Sequence, residues 1–163
     1  MGRGIIPDRW VRSAYALDYQ ALYAAGVRGI IFDIDNTLVY PNAPADGRAK
    51  DLFRQLRIMG FETVILSNNT GRRAESFAKE VGSSVVTRAM KPLPYKYKEA
   101  MKVLGTGKAS TVFIGDQLYT DIWGANNAGI TSILTVPLTD QEEFWIRWKR
   151  VLERHTLKKM KPE

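Results

Sequence analysis

The segment Gly29-Ile30-Ile31-Phe32-Asp33-Ile34-Asp35-Asn36-Thr37-Leu38 decides how this chain is read. Its first half is almost continuously apolar and rich in isoleucine, the pattern of a strand buried on both faces. Strands of that kind belong to parallel sheets, where each crossover is long enough to lay a helix on one face or the other. The apolar run then ends in two carboxylates, Asp33 and Asp35, at the point where the chain leaves the strand.

Downstream of that point the alternation continues. A loop rich in Pro, Asn and Ala (residues 40–46) leads to a predicted helix from about Gly47 to Met59, stopped by Gly60. Strands are predicted over 62–67, 84–86, 110–114 and 130–136. Between them helices are expected after the turn Asn68-Asn69-Thr70-Gly71, over 95–104 behind Pro92 and Pro94, and over 119–128 before Gly129. Asp140 caps a last helix, over about 140–159. With no internal repeat and no low-complexity linker, this reads as one α/β domain over 1–163. A three-layer Rossmann-like arrangement follows, with a parallel sheet of about five strands and helices on both faces. Residues 1–27 and the helix over 140–159 are expected as appendages to it.

In open parallel sheets ligands bind beyond the carboxyl ends of the strands. There the sequence places Asp33 and Asp35, then Ser67, Asn68 and Asn69, then Lys91, then Asp116 with Asp121 just beyond. Three carboxylates (Asp33, Asp35, Asp116) near one point repel one another, and a hard divalent cation such as magnesium, which takes oxygen ligands, removes the repulsion. Such an ion also neutralises phosphate oxygens. One carboxylate can attack phosphorus covalently, and a second can protonate the leaving alcohol and later deprotonate water. Lys91 suits pairing with the nucleophile and the transferred phosphoryl group. Ser67, with Asn68 and the amides of the following helix N-terminus, suits the phosphoryl oxygens. Each residue also has a plainer reading: Ser67 as a helix cap, Lys91 as a surface lysine before a helix-starting proline, Asp121 as a first-turn helix acid, and the asparagines as turn formers. Gly105-Thr106-Gly107-Lys108 is not a nucleotide-binding loop, because it lacks the first glycine and precedes a strand rather than following one.

Composition narrows the chemistry further. There is no cysteine and one histidine, His155, so thiol nucleophiles, zinc–thiolate sites and most histidine-based schemes are excluded. Unless His155 takes part, catalysis must rest mainly on carboxylates, Lys/Arg and hydroxyls. A net charge of +7 suits an anionic partner, either a phosphorylated substrate, an anionic lipid surface or nucleic acid, though it also serves solubility. Nucleic acid is the less favoured of these partners. The N-terminus has no secretory h-region, and no run approaches the roughly 18 apolar residues of a membrane span. A cytoplasmic location is therefore expected.

Taken together, Asp33-x-Asp35-Asn36-Thr37-Leu38, Ser67-Asn68-Asn69, Lys91-Pro92 and Gly115-Asp116 with Asp121 resemble the four motifs of the haloacid dehalogenase (HAD) superfamily, in order, over about residues 28–137. The resemblance implies a magnesium-dependent phosphatase. It implies that Asp33 is the nucleophile, and that Asp35 is the acid/base and binds the metal through its backbone carbonyl. It implies that Asp116 is a metal ligand with Asp121 behind it, that Ser67 is the phosphate-binding hydroxyl and that Lys91 is the catalytic lysine. Pro7-Asp8, Ser13, the run Gly115 to Asp121 and the basic, aromatic C-terminal helix are similar to the YqeG-type members of subfamily IIIA. That group in turn resembles phosphatidylglycerophosphate phosphatases, which suggests a phospholipid substrate.

The superfamily inserts cap domains between the first and second motifs or between the second and third. Neither Asp33 to Ser67 nor Ser67 to Lys91 has room for one, so an open site is expected, reachable by a bulky substrate unless an oligomeric neighbour covers it. In the last helix Phe144, Trp145, Trp148, Val151, Leu152 and His155 recur at helical spacing, with Arg and Lys mostly elsewhere. That stripe suits packing on the sheet or on a second subunit, and the basic tail suits contact with an anionic membrane surface.

Overall fold

The structure is a computed structural model, and it describes residues 4–68, 71–139 and 147. In chain order the elements are β1 (Arg9–Val11), α1 (Tyr19–Ala24), β2 (Gly29–Phe32), α2 (Gly47–Met59), β3 (Glu62–Leu66), α3 (Arg72–Val81), β4 (Ser84–Val86), α4 (Tyr95–Leu104), β5 (Thr111–Gly115), α5 (Trp123–Ala128) and β6 (Thr131–Thr135). The strands form one sheet in the order β1-β6-β5-β2-β3-β4, and every neighbouring pair is parallel. The sheet thus has six strands where the sequence predicted about five. The addition is β1, whose three residues are too few for a period to register. It becomes a strand by pairing with β6, Trp10 opposite Leu134.

All four residues of β2 are buried, as its apolar run requires. Alternate side chains feed opposite layers. Ile30 and Phe32 pack with Phe53, Leu56 and Phe77 from α2 and α3 on one face. Ile31 packs with Val64, Phe113, Tyr97 and Met101 on the other, beneath α4 and α5. These two cores make the three layers expected. Helix α2 begins and ends where its sequence signals predict. Asp46 caps it by accepting from the Ala49 amide at 2.8 Å, and Gly60 closes it in the left-handed region at φ 100°.

From β2 the chain steps outward through β3 to β4 on one side, and later from β5 to β6 on the other. The reversal falls between β2 and β5, and at such switch points the loops part to leave a crevice. Asp33 follows β2 and Asp116 follows β5, so both stand on its rim. The predicted helix over 119–128 is divided: Leu118–Ile122 form a π-helical turn ahead of α5. The buried Tyr97 hydroxyl donates to the carbonyls of Thr120 and Asp121 at 3.1 and 3.2 Å and pins that turn. Only α2 and β3 lie between Asp33 and Ser67, and among the described residues only α3 and β4 lie between Ser67 and Lys91. Among the described residues no helix is long and apolar enough to cross a membrane. Asn69, Thr70 and, apart from Arg147, the predicted helix over 140–159 lie outside the described residues.

Candidate active site

Pairing continues one step past the strand, since the Asp33 amide donates to the Ile114 carbonyl at 3.0 Å. That bond sets Asp33 beside Gly115 and Asp116. Carboxylate oxygens of Asp33, Asp116 and Asp121 come within 4.8 Å of one another. The Lys91 ammonium bridges two of them, at 2.9 Å from Oδ1 of Asp33 and 2.6 Å from Oδ1 of Asp121. Its side chain is 4% exposed and that of Asp121 is 1% exposed. Lys91 is therefore no surface lysine.

Each member of this cluster has a holder. The Gln117 amide donates to Oδ2 of Asp121 at 3.2 Å, so both oxygens of Asp121 are engaged. Gly115 makes room for it, because a Cβ there would stand 2.6 Å from Oδ2 of Asp121 and 2.7 Å from the Phe113 ring. The buried Thr37 hydroxyl donates to Oδ1 of Asp116 at 3.3 Å. The side-chain carbonyl of Asn68 accepts from the Lys91 amide at 2.9 Å, fixing the loop that delivers the lysine. Ser67 is buried at the end of β3, its main chain joined to Val86 and Ala89. Asn36 turns the chain at φ 63°, and its Oδ1 accepts from the amide and hydroxyl of Thr139 at 3.2 and 2.7 Å, stapling the loop after β6 onto the loop after β2.

The electrostatics follow from three acids and one ammonium in a dry place. Burial raises the Asp121 carboxyl to about 6, with the Asp33 charge adding to the rise and Lys91 opposing it. Burial, then Asp121 and Asp33, hold Asp116 well above the usual carboxylate range. Burial alone would lower the Lys91 ammonium, but Asp121 and Asp33 outweigh it and raise its pKa. The cluster therefore has more negative charge than Lys91 balances. All its donors are oxygens, with no His or Cys, which fits a hard divalent cation such as magnesium.

The structure brings Asp33, Lys91 and Asp116 together as the sequence predicts. It also draws Asp121 fully into the group, whereas the carboxylate of Asp35 lies outside it. Asp35 instead accepts on Oδ1 from the Asn42 amide at 2.9 Å and from Nη2 of Arg73 at 2.6 Å. Arg73 and the role of Thr37 were not read from the sequence. Thr37 lies inside the Asp-x-Asp segment and was open to suspicion as a hydroxyl there, but nothing in the sequence marks Arg73, since its pairing depends on how the loop over 40–46 folds back.

Comparison with known proteins agrees with this geometry. The sequence pattern of the haloacid dehalogenase-like hydrolases matches residues 43–129. The chain is 34% identical to the "Probable phosphatase YqeG" of Bacillus subtilis over 157 residues, covering 96% of this chain and 91% of that protein. It is 28% identical to the chloroplastic/mitochondrial phosphatidylglycerophosphate phosphatase 1 of Arabidopsis thaliana, over 95% of this chain but only 48% of the plant protein, so it spans about half that relative's length. In fold it is similar to the cobalt-bound deoxy-D-mannose-octulosonate 8-phosphate phosphatase of Haemophilus influenzae, with a TM-score of 0.52 at 15% identity, covering 79% of this chain and 89% of that one. With the pattern matched over half its length and a phosphatase relative matched over nearly all of it, the chain belongs to the haloacid dehalogenase-like hydrolases, among their phosphatases.

Proposed function

We propose that this protein hydrolyses a phosphate monoester through a phosphorylated Asp33, with Asp35 as proton donor and acceptor. What carries this reading is Asp33 itself. It is the one member of the carboxylate cluster that is not fully buried, its side chain 15% exposed, and a buried ammonium holds it at 2.9 Å on the rim of the crevice.

In the first half of the reaction an Asp33 oxygen forms a bond to phosphorus as the ester P–O bond breaks, and Asp35 gives its proton to the departing alcohol oxygen. In the second, water attacks phosphorus, its proton passes to Asp35, and the Asp33–phosphorus bond breaks to release phosphate. Lys91 steadies the Asp33 carboxylate and the phosphoryl oxygens, while Asp121 fixes the lysine. Ser67 and Asn68 stand beside them at the end of β3 and contribute to phosphate binding. Asp33 and Asp116, with the backbone of Asp35, would hold a magnesium ion, which when bound supplies positive charge for the phosphoryl oxygens.

The substrate reading is a phospholipid-borne monoester of the phosphatidylglycerophosphate type. Two observations favour it beyond the relatives' names. Among the described residues no cap lies over the site. Tyr40, Met90, Leu93, Tyr95, Tyr119 and Trp123 are exposed, all in loops or first helical turns on the edge that bears the site. An apolar, aromatic rim around a phosphate site on a chain of net charge +7 suits an anionic bilayer surface, and peripheral contact there is part of the reading.

The test is turnover of p-nitrophenyl phosphate and of phosphatidylglycerophosphate in vesicles, with magnesium, by wild type and Asp33→Asn. The variant should be inactive on both, and acid-quenched wild type should carry phosphoryl mass on the peptide holding Asp33. Equal turnover by the two proteins would sink the mechanism. Activity on nucleic-acid ends or soluble metabolites alone would sink the lipid assignment.

A further inference from the structure

Arg73, the second residue of α3, ties three pieces of chain together. Its Nη2 donates to Oδ1 of Asp35 at 2.6 Å, and its Nη1 donates to the carbonyl of Ala43 at 2.6 Å. The Asn42 amide donates to the same Oδ1 at 2.9 Å. Both partners thus grip one oxygen of Asp35, and the guanidinium also straps the loop over 40–46 beside it. The bland reading is a surface ion pair, worth little because water screens it and the side chains lose freedom. Two facts speak against that. The arginine side chain is 22% exposed, so most of it is out of water. Its Nε is buried and has no hydrogen-bond partner among the described residues. A buried donor left over costs free energy, and such groups in native sites ask for a reason other than stability.

We infer that Arg73 is a positioning residue for proton transfer by Asp35, an inference that rests on the acid/base role proposed above. By fixing Oδ1, Arg73 and the Asn42 amide assign the proton-carrying duty to Oδ2. A proton on Oδ2 passes to the ester oxygen as the P–O bond breaks. In the return step the attacking water gives a proton back to Oδ2 as the phosphorus–Asp33 bond breaks. No other reactant is needed. Without the strap the Asp35 carboxyl is free to rotate, and its proton is no longer aimed at the leaving oxygen. A misplacement of about 1 Å at a reacting centre is enough to lose about 100-fold in rate.

The leaving group reveals whether this is so. Nitrophenolate departs readily without a proton, whereas the alkoxide of an alkyl phosphate needs one. Pre-steady-state release of the leaving group, which isolates the first half-reaction, should be measured for p-nitrophenyl phosphate and glycerol phosphate with wild type, Asp35→Asn, Arg73→Ala and Arg73→Lys. Arg73→Ala should release glycerol about 100-fold more slowly while its nitrophenolate burst is nearly unchanged, and Arg73→Lys should recover part of the loss. Thermal unfolding of each variant identifies any that fail to fold. If Arg73→Ala does not fold, Arg73→Lys and Arg73→Gln carry the comparison. A fall of equal size on both esters, or no fall on either, overturns the inference. If Asp35→Asn is selective for the alkyl ester and the Arg73 variants are not, the positioning role alone fails. If Asp35→Asn shows no selectivity, the acid/base reading fails and the positioning role falls with it.

Discussion

Replacing Lys91 by methionine removes the cation that, among the described residues, is paired with the carboxylate cluster, while keeping the length of the side chain. In the wild type its ammonium lies 2.6 Å from Asp121 and 2.9 Å from Asp33, at 4% exposure. The variant leaves Asp33, Asp116 and Asp121 within 4.8 Å of one another without the ammonium that paired with them. Breaking a buried ion pair by removing one partner costs about 3–5 kcal/mol, because the other charge stays behind unpaired. For a domain of this size that corresponds to a fall in Tm of about 10 °C. It also lowers the urea midpoint by about 2 M if the slope is near 2 kcal/mol per M. The assay is urea unfolding in EDTA, at about pH 8 and again at about pH 5. Asp121 titrates near 6 in the folded protein, and Asp116 is raised as well, so at the lower pH both can take up protons and shed their repulsion. The deficit of the variant should therefore shrink on acidification. A loss under about 1 kcal/mol at pH 8, or an equal loss at both pH values, would refute the electrostatic reading of the cluster.

Gly115→Ala should lower stability by about 1–3 kcal/mol and cut turnover sharply, because its Cβ would stand 2.6 Å from Oδ2 of Asp121 and must displace it; thermal unfolding and p-nitrophenyl phosphate assays check both. Thr37→Val should cost about 1 kcal/mol through the lost bond to Asp116 and weaken magnesium binding, read as a higher metal concentration at half-maximal rate. Metal stabilisation should depend on pH with a definite sign. Asp121 is raised from 3.8 to about 6, so the folded state holds its proton more tightly than the unfolded chain does. That contribution is full below 3.8 and is lost as pH rises through about 6, so at about pH 8 the ionised site carries a penalty of about 3 kcal/mol that a divalent cation relieves. The rise in Tm on adding magnesium should accordingly be larger at about pH 8 than at about pH 5, and an equal rise at both would contradict it. The pair Met90→Asp and Tyr119→Asp, both exposed on the rim, should reduce turnover of vesicle-borne substrate while sparing p-nitrophenyl phosphate.

What the sequence made legible was whatever depends on neighbours along the chain. The apolar run of β2 announced a doubly covered strand, and Asp46 with Gly60 bounded α2 where the structure has it. Acids at strand ends pointed to the crevice, because strand direction alone carries them to one edge. The rest depended on contacts between distant segments. Three residues of β1 are a strand only because β6 is there to pair with. The helix read as continuous over 119–128 opens into a π-helical turn because Tyr97, far away on α4, holds two of its carbonyls. The carboxylate of Asp121 comes within reach of Asp33, Asp116 and Lys91 because Gly115 leaves a gap that only a three-dimensional view reveals. The bond from Arg73 to Asp35 spans 38 positions and rests on the course of a loop with no periodicity to read.

The order of strands also bears on the chain during its own synthesis. From the ribosome, β2, β3 and β4 emerge in the order in which they lie side by side, so that half of the sheet can dock early. β5, the other neighbour of β2, arrives only after α4 has been made. Until then Asp33 has neither Asp116 nor Asp121 beside it, and the nascent protein is spared both the charge repulsion and the reactivity of the finished site. The acids can meet only once β5 has been made, and Lys91 precedes Asp116 and Asp121 along the chain.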